Sequence, residues 1–191
     1  MQGDFLSTFF QRNMPSFIPR AESFLESVHA NDLKNINFRY IFTVKGMLEV
    51  SHLIEDTIIN TPGVTETHVS FQRFSRISQQ HKRYVKVAEA SKGLWLYGVP
   101  DAPLPSYKRV IAVDTTSTDL EHFWFVIGYG AGFSMTLLAE EIAPRGATAG
   151  NEPHYYEGFY TFDANIAYSL LILLHQMFPA RVNSPTMPEL F

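Results

Sequence analysis

Met47 to Val99 reads MLEVSHLIEDTIINTPGVTETHVSFQRFSRISQQHKRYVKVAEASKGLWLYGV, and this stretch decides the fold. From Val44 onward, Val44, Met47, Leu48, Ser51, Ile54 and Ile58 share one stripe at helical spacing, with Lys45, Glu49, His52 and Asp56 on the other side. Thr43 stands where an N-cap belongs. Asn60-Thr-Pro-Gly63 stops the helix, because proline lacks an amide donor and glycine accepts a positive φ. His68-Val-Ser-Phe-Gln72 alternates as a strand does. Gln79 to Ser91 sets Tyr84, Val87 and Ala88 at helical spacing among basic residues, which predicts an amphipathic helix laid on a sheet. Leu94-Trp-Leu-Tyr-Gly98 is mostly apolar and suits a strand covered on both faces.

Outward from this unit the chain continues the alternation. Ile36 to Phe42 fits either a strand or an extended lead-in to the first helix. Pro100, Pro103 and Pro105 mark a loop, followed by a short strand Arg109 to Asp114 and a mostly apolar strand Glu121 to Ile127. Gly128-Tyr-Gly-Ala-Gly132 reads as a strand-to-helix turn leading into a buried helix, Phe133 to Ala143. Pro144 to Pro153 is a loop, His154 to Phe162 a last strand, and Asp163 an N-cap for the helix Ala164 to Phe178, whose apolar stripe is Ile166, Leu170, Leu173, Leu174 and Met177. The order predicts an α/β fold: a central mixed β-sheet of about five strands with helices packed on its faces. A PAS- or GAF-like α+β sensor fold is the alternative.

The chain has 191 residues, enough for one domain with a full core, and its sixteen Phe make that core aromatic. A net charge of −4 gives no field that would gather nucleic acid, so none is expected as a partner. No cysteine is present, which excludes disulfides, thiolate metal sites, cysteine nucleophiles and thioether-linked chromophores. No apolar run reaches the roughly 20 residues that span a bilayer, and no signal peptide opens the chain, so a cytoplasmic protein without a transmembrane segment is expected. Near the N-terminus Phe5, Leu6, Phe9 and Phe10 form an apolar stripe on a short helix. It docks on its own domain or a second copy, or anchors in a partner groove or on a membrane surface.

Three kinds of chemistry have candidate residues in the chain. The glycines of Gly128 to Gly132 resemble an anion cradle, but Phe133 stands where a dinucleotide fingerprint needs glycine; a tight turn and a close helix–strand contact explain them. Glu49, His52 and Asp56 share a helical face, as metal ligands would, yet such a trio on a charged face is ordinarily solvated. No metal or other cofactor is expected. Ser51 and His52 are adjacent and diverge by about 100°, so they cannot act as nucleophile and base on each other. No nucleophile elbow is present, and an unrecognised hydrolase would have to rely on Glu55, Asp56 or His52.

Ser51-His-Leu-Ile-Glu-Asp56, Phe71-Gln72, Arg83-Tyr84, the apolar strand ending at Gly98 with Asp101 shortly after, Leu120-Glu-His-Phe-Trp124 and Phe159-Tyr-Thr-Phe-Asp163 occur in an order and spacing that resembles the DICT domain. That is a sensory domain named for diguanylate cyclases and two-component systems. The resemblance runs from about Phe38 to Phe178. It divides the chain into an N-terminal helical extension (1–37), a DICT-like sensory domain (38–178) and a flexible or draped C-terminal tail (179–191). It implies a non-enzymatic module of bacterial, in particular cyanobacterial, signalling that answers light or another environmental cue. With no output domain in the length, the signal leaves by contact with a partner protein or within a homo-oligomer.

The residues the resemblance singles out are Glu55, Asp56, Phe71, Gln72, Arg83, Tyr84, Trp124, Phe162 and Asp163. Aromatic surface mixed with polar groups is the composition of a small-molecule pocket, and equally of caps and buried hydrogen bonds. The alternative function is a receptor for a small ligand or non-covalent chromophore, bound between the strands and the loop Pro144 to Pro153.

Overall fold

The computed structural model describes residues 8–9, 40–142 and 154–191. In chain order the elements are β1 (Tyr40–Thr43), α1 (Val44–Asn60), β2 (Thr65–Arg73), α2 (His81–Ala90), β3 (Gly93–Val99), β4 (Val110–Asp114), β5 (Phe123–Gly130), β6 (Phe133–Ile142), β7 (Tyr155–Thr161) and α3 (Ala164–Met177), with short 3-10 turns at Phe74–Gln80, Asp119–His122 and Pro188–Leu190. Thr43 caps α1 by accepting a hydrogen bond from the Gly46 amide at 3.2 Å, and Gly63 turns the chain out of the helix at φ +75°. Asp163 likewise caps α3, its Oδ1 accepting from the Asn165 amide at 2.8 Å.

The strands form one mixed sheet in the order β1-β7-β6-β5-β2-β3-β4. The β2-α2-β3 unit supplies a parallel pair, β4 adds a second parallel neighbour, and all other pairings are antiparallel. The crossover from β3 to β4 is not helical. It is the proline-marked loop, whose Leu104 and Tyr107 pack on the same core as α1 and α2.

Side-chain alternation sends the strands' residues into two separate cores. On one face Val69, Leu94, Leu96, Val126, Leu137 and Ala139 meet Met47, Ile54 and Ile58 of α1 and Tyr84, Val87 and Ala88 of α2. On the other face Trp95, Tyr97, Phe125, Ile127 and Leu138 meet Ala167, Leu170, Leu171 and Leu174 of α3. His68 lies within this second core, stacked on Trp95 at 4.4 Å and hydrogen-bonded to the Tyr97 hydroxyl at 2.8 Å. Burial drives its imidazole down to about 3, so it stays neutral.

Seven strands replace the five expected, for two reasons. Ile36 to Phe42, undecided in sequence, yields β1. Phe133 to Ala143, expected as a helix, is β6. Its Leu, Ala and Glu favour a helix locally, but the segment pairs with β5 along eight positions and with β7 along seven, and that non-local pairing overrides propensity. Phe133, Met135, Leu137 and Ala139 consequently face α1 and α2.

The Gly128–Gly132 segment is therefore the end of β5 and a two-residue hairpin, not the start of a helix. Gly132 takes φ +67° in that hairpin. A Cβ on Gly128 would come within 2.8 Å of the Phe133 ring and 3.0 Å of Ile58, so this glycine sets how closely α1 approaches the sheet.

Residues 179–191 lie across the α3 face. The Trp95 indole donates to the Arg181 carbonyl at 2.9 Å, the Tyr129 hydroxyl donates to the Thr186 carbonyl at 2.7 Å, and Val182 is buried. Phe9 packs on the same core, while Phe5, Leu6 and Phe10 and the rest of the 1–37 extension fall outside the described residues. Among the described residues no helix is long and apolar enough to cross a membrane.

The hairpin glycines give a stability test. A Cβ at Gly130 would run into the backbone carbonyl of Val64, which cannot rotate away, whereas Gly132 faces open space and carries only its positive φ. We expect Gly130→Ala to cost about 3 kcal/mol and Gly132→Ala about 1 kcal/mol in urea denaturation. Equal costs would contradict this reading of the hairpin.

Candidate functional site

A cleft of about 290 Å³ opens between the first two turns of α1 and the sheet. Val44 and Leu48, four residues apart, form its helical wall. They belong to the apolar stripe of α1, but the core takes Met47, Ser51, Ile54 and Ile58 and leaves these two to the cleft. Phe71 of β2, Trp124 of β5 and Tyr156 of β7 supply three aromatic walls. Trp124 is fixed by its indole N–H donating to Ser51 Oγ at 3.1 Å and by an edge contact with Tyr156, ring centroids 5.4 Å apart.

The polar end of the cleft comes from a break in β2. Pairing with β3 runs in register to Ser70↔Tyr97 and resumes at Arg73↔Val99, so one extra residue is accommodated on β2. Gln72 occupies that bulge at φ +62°, a left-handed conformation uncommon outside glycine. The bulge interrupts strand alternation and turns Gln72 toward the cleft's far wall. Its Nε2 donates to Glu141 Oε2 at 2.9 Å, and its Oε1 accepts from the Arg76 guanidinium and lies 3.4 Å from the Tyr156 hydroxyl. His154 pairs with the other Glu141 oxygen. Arg76, Gln79 and Gln80 line the cleft from the 3-10 turn after β2. That turn hangs from Asp101, which accepts from the Ser75 amide at 2.9 Å and the Ser75 hydroxyl at 2.7 Å. Those two hydrogen bonds hold the Asp101 carboxyl below its ordinary value.

Behind the Phe71 wall lies a second polar group, between α1 and α2. The Tyr84 hydroxyl donates to Glu55 Oε1, Arg83 Nε sits 3.1 Å from Glu55 Oε2, and the Arg83 guanidinium also pairs with Asp56. The Arg83 Nε contact is an ion contact without hydrogen-bond alignment, so Oε2 keeps an unfilled acceptor in a nearly dry site. Burial raises the Glu55 carboxyl from 4.5 to about 7; the Tyr84 hydrogen bond and Arg83 oppose the rise and Asp56 adds to it. Burial, and then Arg83, lowers the nearby His52 imidazole. Phe71 joins the two groups, meeting Tyr84 edge-on at 4.8 Å.

Of the residues singled out in sequence, the structure gathers Glu55, Asp56, Arg83 and Tyr84 around one carboxylate and brings Phe71, Gln72 and Trp124 to the adjoining cleft. Phe162 and Asp163 stand elsewhere, at the opposite end of β7 from Tyr156; Phe162 is 61% exposed and Asp163 caps α3. Glu49 faces solvent beside Lys45, and among the described residues no group of three His, Asp or Glu is placed to hold a metal. Val44, Leu48, Arg76, Gln79, Gln80, Glu141, His154 and Tyr156 join the site without being marked for it in the sequence. Arg76, set between the buried Phe74 and Ile77, was the one signal available in the local pattern.

The Glu55 site makes stability depend on pH with a definite sign. A carboxyl whose folded-state pKa is raised contributes stability in full below about 4.5 and loses it as pH climbs toward 7. Wild type should therefore lose up to about 3 kcal/mol between pH 4.5 and 8 that Glu55→Gln does not lose, measured as the difference between the two in urea denaturation. Parallel pH profiles would contradict the assignment.

No curated protein matches the chain. The profile of DICT, described as the sensory domain in diguanylate cyclases and two-component systems, matches residues 24–142, which carry both the cleft's α1, β2 and β5 walls and the Glu55 site. With more than half of its length matched, the chain belongs to the DICT family, sensory domains of signalling proteins.

Proposed function

We propose that this domain senses by taking a small molecule into the cleft under Trp124, and that it passes the signal on by protein contact without turning the molecule over. The observation that carries this reading is the cleft itself: three aromatic rings and two aliphatic side chains around a short polar end, the composition of a ligand pocket. A volume of about 290 Å³ favours a compact metabolite over an extended chromophore. For the relay step, Tyr160 and Phe162 at the end of β7 offer a surface. They stack edge-on at 6.2 Å and are 40% and 61% exposed, an aromatic pair suited to a partner protein.

Leu48→Trp would fill the cleft from the α1 side while leaving the core stripe intact. Thermal unfolding of the whole chain against a panel of small metabolites should show at least one compound that raises the wild-type Tm and leaves Leu48→Trp unmoved. Compounds that stabilise neither protein, or both alike, would overturn the reading.

A further inference from the structure

Resting on the reading of the cleft as a small-molecule site, the geometry points to its ligand class: a compact aromatic carboxylate, its ring among Phe71, Trp124 and Tyr156 and its carboxylate on the Arg76 guanidinium. Arg76 is the cation of this wall, half-buried beside aromatic side chains. It takes part in none of the ion pairs among the described residues. A guanidinium has five N–H donors in a rigid fork; one is engaged by Gln72 Oε1 and another by the Tyr156 hydroxyl, which leaves three. A cation held this way beside apolar walls, with donors to spare, is complementary to a planar anion that accepts two parallel hydrogen bonds.

Among the described residues, the acid linked to this wall does not fill that role. Glu141 gives one oxygen to Gln72 Nε2 and the other to His154, so the Gln72 amide stands between it and Arg76, nitrogen toward the acid and oxygen toward the cation. Holding Gln72 there requires the bulge and its positive φ, an unfavourable conformation that persists because the surrounding contacts impose it. Among the described residues, keeping the acid one amide away from the cation leaves the remaining guanidinium donors to a ligand. Among the described residues a single arginine lines the cleft, with Gln79, Gln80, the Tyr156 hydroxyl and the Glu141-bound His154 as the other polar groups; that set suits a monoanion, whereas a phosphate dianion calls for more donors. A volume of about 290 Å³ suits a system of one or two rings.

Calorimetric titration of the full chain with benzoate, 2-naphthoate and indole-3-carboxylate, each beside its neutral carboxamide, tests the assignment. We expect at least one acid to bind wild type about tenfold more tightly than its amide. Arg76→Gln should abolish that preference without weakening the amide, and Arg76→Lys should restore part of it, with unchanged circular dichroism showing that the variants fold. Acid and amide binding alike, or a preference that survives Arg76→Gln, would overturn the carboxylate assignment while leaving the small-molecule cleft standing. So would failure of every acid to bind at millimolar concentration while other compounds still stabilise wild type but not Leu48→Trp. Binding of the acids that Leu48→Trp does not affect would place them outside the cleft and overturn the assignment too.

Discussion

The structure depends on a central strand that is covered on both faces and paired on both edges. β5 gives Phe123, Phe125, Ile127 and Tyr129 to one core, Trp124 and Val126 to the other, and is paired along its length with β6 and over residues 126–130 with β2. Such a strand leaves no polar backbone group facing an apolar layer, so helices must cover it on both sides. α3 with the C-terminal residues covers one, and α1 with α2 the other. Along β5 the α1 side runs from a bulky Trp124 to a Gly128 with no side chain. α1 therefore lies close where Ile58 meets Gly128 and is held off where Leu48 and Val44 face the Trp124 end. The cleft is the wedge left by that gradient in side-chain size.

Two polar groups border the wedge and differ in how they are satisfied. Glu55 is nearly dry and leans on Tyr84 and Arg83, with one oxygen left without an aligned donor. Glu141 is partly exposed, and both of its oxygens are occupied. An acid with an unfilled acceptor in low dielectric favours its neutral form, which is why burial dominates at Glu55. Phe71 is the common wall, touching Tyr84 on one side and lining the cleft on the other.

Most of the fold was readable because it is local or periodic. The Thr43 cap, the Pro62-Gly63 stop, the apolar strands at β3 and β5 and the Asp163 cap each depend on neighbours within a few residues. β6 departs from its own composition, which suits a helix, although Phe133, Met135, Leu137 and Ala139 alternate at a period of two; the deciding information lies in β5 and β7. The seventh strand, β1, is four residues long and defined by its pairing with β7, so its own pattern was too short to read. The candidate site was less legible still. Its walls come from residues 44–80, 124 and 154–156, and a period calculated along one element says nothing about which elements meet. The resemblance supplied Phe71, Gln72 and Trp124, but in the same set it supplied Phe162 and Asp163, which sit at the other end of β7.

Gln72 shows why that last step needs three dimensions. In sequence it is the fifth residue of an alternating strand, and alternation would send it to the opposite face from Phe71. One extra residue in β2 and a left-handed φ reverse that, and a single amide then connects β6 through Glu141, the 3-10 turn through Arg76 and β7 through Tyr156. A strained residue tying together three separate elements is maintained by all of them at once, since no one contact would repay the conformation alone. The bulge thus does locally what β5 does globally: it converts a rule of alternation into a position where polar groups from distant parts of the chain converge on a cavity.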